Sequence, residues 1–324
     1  MKLIIPMARK KEKKSSAVIP PDPLMNLVGK PILLRVLDVV KNLKISEAIF
    51  IVDSDSSELK KFVSKNFKFK ARYILQKNPK GVAHAIYGAK KFVGDESCLV
   101  LFADSIITAD ISSLSKVKDD VVIWTKQVND PRSFGVVFTH AGLVTRLIEK
   151  PETPVSDLAM VGMYYFNNSK LLFESISHLI KNKILTKGAF QLTDALQIMI
   201  NKGAKIVPKE VKAWHDCGTK KRLLETHKSI IVEQKTVRKS DDSLFIKPVF
   251  VEEGAKIKSS IIGPNVSVGK NAKIIRSIIK DSIIGEDVLI EENNLDTSFV
   301  GRQAKVYGSS KKINVKDREV FRDE

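Results

Sequence analysis

The sequence predicts an α/β protein, with a Rossmann-like, doubly wound and mostly parallel sheet followed by a short parallel β-helix of hexapeptide repeats. Two observations carry that expectation. Over the first hundred or so residues, short apolar runs alternate with amphipathic stretches, the strand–helix–strand rhythm of an α/β sheet. Beyond residue 245, an aliphatic residue recurs about every sixth position, the period of a hexapeptide coil.

The first strand is expected at residues 2–6, a buried apolar run that passes through Met7 and Ala8 into a long loop closing on Gly29-Lys30-Pro31. Ile32, Leu33, Val36, Leu37, Val39, Val40 and Leu43 then recur at helical spacing. The continuous apolar run 48–52 fits a strand buried on both faces, with Asp53 at its carboxyl end. An amphipathic helix over 56–67, a strand at 71–75 leading to Gln76, a helix over 81–92 and a strand at 97–102 leading to Ala103-Asp104-Ser105 complete the alternation. Open sheets of this kind place ligands beyond the carboxyl ends of their strands, which is where Met7, Asp53, Gln76 and Asp104 fall.

From residue 120 the pattern becomes that of an antiparallel sheet. Strands are expected at 121–125, 135–139, 144–148 and 160–166, with a hairpin turn at His140-Ala141-Gly142. Helices at 170–179 and 193–202, strands at 204–208 and 211–214, and a long helix from 220 close a first domain spanning 1–233. Polar residues 234–244 form a linker, and 245–324 form the hexapeptide domain and tail. Repeat units beginning at Val251, Ile262, Val268, Ile284 and Val300 put an aliphatic side chain inside each coil. So few coils leave an open end, to be capped by the tail, the first domain or another subunit.

A chain of 324 residues is long enough for two domains and a sizeable core. Its 43% hydrophobic and 28% charged content excludes wholesale disorder. The net charge of +18 is spread along the chain, with acidic residues among the lysines and no aromatic–basic repeat. That distribution describes a solvated surface rather than a nucleic-acid partner. Cys98 and Cys217 are far apart and form no C-x-x-C pair, so neither a disulfide framework nor a zinc site is signalled. No apolar run reaches membrane-spanning length and no signal-peptide core is present, so a reducing cytoplasm is expected.

In order, the chain carries GKPILLRVLDVV, QKNPKGVAHAI, LVLFADS, VNDPRSFGVVF, IEKPETPVSDLAMVGMYYF, QLTDALQ and WHDCGT, followed by the hexads. This series resembles the sugar-phosphate nucleotidylyltransferases, most closely the long-form glucose-1-phosphate thymidylyltransferases with a C-terminal left-handed β-helix. The resemblance implies attack by a sugar 1-phosphate oxygen on the α-phosphorus of a nucleoside triphosphate, releasing pyrophosphate. It implies Mg²⁺ as cofactor, held by Asp104 and Asp216, two oxygen donors suited to a hard cation. It further assigns Lys13 to the triphosphate, and Met7, Ala8, Gln76 and Gly81 to the nucleotide. Gly135, Glu149, Lys150 and Gly162 fall to the sugar phosphate. The implied partners are the two substrates and a second copy of the chain, or a paralogue, joined through the β-helix. Taken alone, Asp104 also fits a strand-end turn, Asp216 a helix N-cap and Lys150 a solvated charge.

The chain departs from the family pattern at three places. Arg9, Lys11 and Glu12 stand where the family's first loop has two glycines and a threonine, leaving Lys13 at the arginine position. Asp22 stands at the lysine of P-K-P-L, and Ala189 at a family glutamate. Two alternatives stay open. In one, a working enzyme holds phosphates by the side-chain charge of residues 10–14. In the other, the chain is a catalytically degenerate regulatory or scaffold subunit that binds a sugar nucleotide or an active paralogue. No histidine follows His227, which argues against acyl transfer on the β-helix.

Overall fold

The computed structural model describes residues 1–7, 22–53, 56–233 and 242–308. They divide into two compact units, one of residues 1–24 and 31–219, the other of 25–30 and 220–324.

The first unit opens with β1 (Lys2–Pro6), α1 (Ile32–Leu37), β2 (Glu47–Val52), α2 (Ser57–Asn66), β3 (Lys70–Leu75), α3 (Val82–Tyr87) and β4 (Cys98–Leu101). The strands run parallel in the order β3-β2-β1-β4. Every residue of β2 and β4 is buried, which is why β4, and β2 beyond Glu47, read as unbroken apolar runs. Ala83, Ala85 and Ile86 of α3 share one core with Ile4, Ile49, Ile51 and Val100. Two helices are shorter than their periodicity suggests. The first tightens into a 3₁₀ turn at Asp38–Val40, and the helix expected over 81–92 stops at Gly88, a poor helix former, before a last turn at Lys90–Val93.

The remainder of this unit comprises β5 (Ser105–Thr108), β6 (Val121–Gln127), β7 (Gly135–His140), β8 (Leu143–Glu149), β9 (Leu158–Phe166), α4 (Lys170–Lys181), α5 (Leu192–Asn201), β10 (Ile206–Glu210) and β11 (Ala213–Asp216). β9 lies antiparallel to β4 and carries the sheet on to the β7–β8 hairpin, which turns at Ala141 and Gly142 as expected. β5 and β11 form a separate antiparallel ribbon with Ser105 opposite Asp216. β10 begins two residues later than expected from the sequence. Ala204 instead donates to Met199 at the end of α5, and the Lys205 N–H donates to the Asp120 carboxylate.

The second unit contains α6 (Lys220–Ile231) and twelve short strands in three four-stranded parallel sheets, the arrangement of a left-handed β-helix. Val251, Ile262, Val268, Ile284 and Val300 are all buried in the coil, as the hexads require. The strands at Lys273–Ile275, Ile278–Lys280 and Asn294–Asp296 were not legible as hexads. The coils run 17 residues (Leu244 to Ile261) and then 16 (Ile278 to Asn294), both short of three full hexads, so a strict six-residue register slides progressively out of phase.

Helix α6, read from the sequence as the close of the first domain, groups instead with the coils, so the boundary drawn at 233 falls inside the second unit. Lys228 pairs with Asp281 at 2.9 Å. Residues 25–30 group there too, with Asn26 donating to Glu286 at 2.7 Å. At Gly29 (φ +73°), a Cβ would lie 2.6 Å from the Phe250 ring. Among the described residues no helix is long and apolar enough to cross a membrane.

His227 on α6 is fully buried, and neither ring nitrogen has a hydrogen-bond partner among the described residues. Burial, only partly offset by Asp281, pushes its pKa down to about 4 from an ordinary 6.5. The unfolded chain therefore takes up a proton near pH 6.5 that the folded chain refuses until about pH 4. Stability falls as pH drops through that window, by up to about 3 kcal/mol. Urea unfolding should show this slope in the wild type and a much flatter one in His227→Leu.

Candidate functional site

Asp104 and Asp216 meet through backbone geometry. Asp104 follows β4, Asp216 ends β11, and the Cys217 N–H donates to the Asp104 carbonyl at 2.8 Å. Gly218 lies between the two carboxylates. A Cβ placed on it would sit 3.0 Å from Asp216 Oδ1 and 3.1 Å from Asp104 Oδ2, so both acids reach the space that glycine leaves. The Gly218 N–H also donates to Asp216 Oδ1 at 2.6 Å. Two carboxylate oxygens converging on one point suit Mg²⁺, which binds through one or two carboxylates and keeps waters and phosphate oxygens as its other ligands. Among the described residues no group of three His, Cys, Asp or Glu side chains forms a fuller metal cage.

The residues read as sugar-binding cluster on the β7–β8 hairpin and β9. Glu149 pairs with Gly135 across the hairpin, and its carboxylate accepts from Thr193 Oγ1. A Cβ at Gly135 would lie 3.1 Å from both Glu149 Oε2 and Thr193 Oγ1 and would collide with the Met160 side chain. Glycine is required here to leave those side chains in place. Lys150 is held at φ +44° with its N–H on the Phe134 carbonyl, and its ammonium, half exposed, lies 4.0 Å from Glu149 Oε1. Gly162, at φ +84°, sits at an irregularity in β9 between Met160 and Tyr164. Its carbonyl accepts from the Phe102 N–H, and a Cβ there would lie 2.9 Å from both the Phe102 ring and Ser105 Oγ.

On the nucleotide side, Met7 donates its N–H to Ile51 at the carboxyl end of β2, and Gln76 does the same to Val52. A cleft of about 420 Å³ beside Met7 is lined by Asp22, Val52, Asp53, Ser57 and Glu58, among others. The three carboxylates among its described lining are opposite in charge to what a triphosphate seeks. Asp22 accepts the Leu24 N–H at 2.9 Å, an Asx turn. Gly81, at φ +117°, has a packing role of its own: a Cβ would collide with the Phe190 carbonyl and lie 2.6 Å from the Phe190 nitrogen and 3.0 Å from Ala189 Cβ. Ala8 and Lys13, with the rest of the basic loop, lie outside the described residues.

Three neighbours of the site were not singled out from the sequence. Thr193 binds Glu149. Trp214 packs edge-on against Phe134, ring centroids 4.8 Å apart, and its buried indole N–H has no acceptor among the described residues. His84 contacts Gln76. Thr193 and Trp214 sit inside the motifs QLTDALQ and WHDCGT, so motif position was the available signal. His84 likewise sits inside QKNPKGVAHAI, eight residues after its partner Gln76.

Paired carboxylates beyond a parallel sheet in one unit and a hexapeptide coil in the other are the architecture of the nucleotide-transferring α/β enzymes. Residues 17–233 match the family described as nucleotidyl transferase, and the chain belongs to that family. Residues 211–294 match a second description, the GlmU-like C-terminal hexapeptide. Glucose-1-phosphate thymidylyltransferase of Streptomyces griseus is 27% identical over 301 residues, covering 88% of this chain and 82% of that protein. The bifunctional protein GlmU of Methanocaldococcus jannaschii is 28% identical over 336 residues, covering 93% and 80% respectively. Among solved structures, a putative glucose-1-phosphate thymidylyltransferase from Bacillus anthracis superposes with a TM-score of 0.59 at 21% identity. It covers 73% of this chain and 97% of that one, a likeness of fold.

Gly81→Ala should lower stability by about 3 kcal/mol or more, because the new methyl meets backbone and the φ is one that L residues avoid. Chemical denaturation of the variant against wild type measures this.

Proposed function

We propose that the chain is a sugar-1-phosphate nucleotidylyltransferase, joining a nucleoside triphosphate and a sugar 1-phosphate to give a nucleotide sugar and pyrophosphate. The convergence of Asp104 and Asp216 on the space above Gly218 carries this proposal. Asp104 and Asp216 would hold Mg²⁺, which supplies charge neutralisation on the phosphates. In-line transfer otherwise needs positioning rather than covalent chemistry from the protein. Glu149, part-buried and fixed by Thr193, accepts a hydrogen bond from a sugar hydroxyl, and Lys150 offers a point charge to the sugar phosphate. Gly135 and Gly162 keep the sugar pocket open. Gln76 and Gly81 receive the base, while Met7, Ala8 and Lys13 flank the triphosphate. The first domain, taken as 1–233 with a linker to 244, carries these groups. The hexapeptide domain serves subunit association, and Cys98 and Cys217, both buried and in no disulfide, suit a reducing cytoplasm.

The acidic lining beside Met7, with Asp22 at a family lysine and Ala189 at a family glutamate, favours a second possibility. In it, the chain binds a finished sugar nucleotide or an active paralogue without turnover.

Pyrophosphate release, measured for each nucleoside triphosphate with a panel of sugar 1-phosphates, separates the two. Turnover with at least one pair is expected, together with a loss of about a hundredfold or more in Asp104→Asn. Tight binding of a sugar nucleotide with no release from any pair would leave the regulatory alternative. Light scattering should give a mass above that of one 36.2 kDa chain, and a monomeric mass would remove the association role.

A further inference from the structure

The positive charge, spread along the chain as a whole, is concentrated in one stretch and on one face. Between Glu58 and Asp95 the sequence carries nine lysines and one arginine and no acidic residue, more than half of the net charge of +18. In a parallel sheet every crossover returns the chain to the same end, so the connections from α1 to β2, α2 to β3 and α3 to β4 all close at the amino ends of the strands. Each delivers exposed lysines there: Lys41 and Lys44, then Lys65, Lys68 and Lys70, then Lys90 and Lys91. The acids in the same connections are Asp38, Asp95 and Glu96, and the buried Glu47 that opens β2 is already paired with Lys2, Lys70 and Arg72. Among the described residues no ion pair takes up Lys65, Lys68, Lys90 or Lys91. Apolar side chains are interleaved with this charge. Phe67 and Phe69, both part-exposed, stack with centroids 5.1 Å apart at 17°, and Phe62 meets Phe67 edge-on at 6.4 Å. Phe92 lies under the Arg72 guanidinium, 4.1 Å from the ring centre, with the Lys91 ammonium at 4.8 Å.

We infer that the amino-end face of the β1–β4 sheet docks on an anionic lipid bilayer, its lysines against headgroup phosphates and the Phe67–Phe69 tip in the interface. Lysines left without acidic partners, beside rings that carry no hydrogen-bonding group, match a surface that is negatively charged outside and apolar just beneath. The long lysine stems lie along apolar surface while their ammonium groups reach the phosphates. A nucleic acid is a poorer match. It is gripped by planar guanidinium groups and by open ring faces on which bases stack, whereas here lysines predominate and Phe67 and Phe69 turn faces to each other. No membrane-spanning segment is needed for this attachment. It also leaves the carboxyl ends of the same strands, where Met7, Gln76 and Asp104 lie, directed away from the bilayer into water. The inference does not depend on the reaction proposed above.

Co-sedimentation of the full-length protein with vesicles tests it, using phosphatidylcholine alone and phosphatidylcholine containing about one-third phosphatidylglycerol. Wild type should bind the anionic vesicles at least about tenfold more tightly than the neutral ones, and the advantage should shrink as salt rises from about 0.1 M to about 0.5 M. Lys65→Glu/Lys68→Glu should lose about tenfold or more of that affinity. Lys181→Glu/Lys183→Glu, the same change in net charge at the end of α4, should stay within about twofold of wild type. Phe69→Trp keeps an aromatic ring at the tip, and its emission, less the wild-type signal of Trp124 and Trp214, should shift to the blue on anionic vesicles. Thermal unfolding checks that each variant is folded. Equal binding to the two kinds of vesicle would overturn the inference, and that measurement needs no variant. Equal losses in the two double variants, or an unshifted Phe69→Trp emission, would also overturn it. Single-stranded RNA bound more tightly than anionic vesicles, and released by Lys65→Glu/Lys68→Glu, would make this a nucleic-acid face and sink the bilayer reading.

Discussion

The site depends on one backbone hydrogen bond, from Cys217 N–H to the Asp104 carbonyl at 2.8 Å. Asp104 arrives on the parallel sheet, and Asp216 arrives much later in the chain on a ribbon strand. The β5–β11 ribbon sets their register by placing Ser105 opposite Asp216. The cross-link then fixes the turn, and Gly218 leaves room for both acids. Two carboxylates brought this close repel each other unless a cation or a proton lies between them. A rigid backbone clamp is the physical means of keeping them together in its absence.

A second constraint runs through residues 189–193. The Phe190 backbone exchanges hydrogen bonds with Lys80 and Ala83 on the two sides of Gly81, and three residues on, Thr193 binds Glu149. The base side and the sugar side are therefore set by one short segment that precedes α5. Ala189 belongs to this segment, and its Cβ lies in van der Waals reach of Gly81. The family glutamate it replaces would bring a longer, charged side chain to that turn.

The parallel strands were legible because burial on both faces writes them as unbroken apolar runs, and the coils because one aliphatic per turn must point inward. The hairpin at Ala141-Gly142 was legible from turn chemistry. What the sequence concealed was pairing at a distance. Nothing local shows that Thr193 reaches Glu149 or that His84 reaches Gln76, and the meeting of Asp104 with Asp216 was expected from family resemblance alone. The rungs at Lys273–Ile275 and Ile278–Lys280 escaped because each coil falls short of three full hexads, so a fixed period slides out of phase. The grouping of α6 with the coils has a related origin. An amphipathic helix declares that it has an apolar face, and leaves open which neighbour covers it.

Residues 25–30 pack with the coils while the residues on either side of them, up to 24 and from 31, belong to the sheet-bearing unit. The polypeptide therefore passes between the two units at three points, after residues 24, 30 and 219. The hexapeptide region is consequently no detachable appendage. Removing it at any single junction strands a buried segment, including Leu27, without the Phe250 and Glu286 side of its packing. In evolutionary terms, neither unit of this chain could be exchanged by simple end-to-end fusion without rewriting the stretch that precedes the first helix.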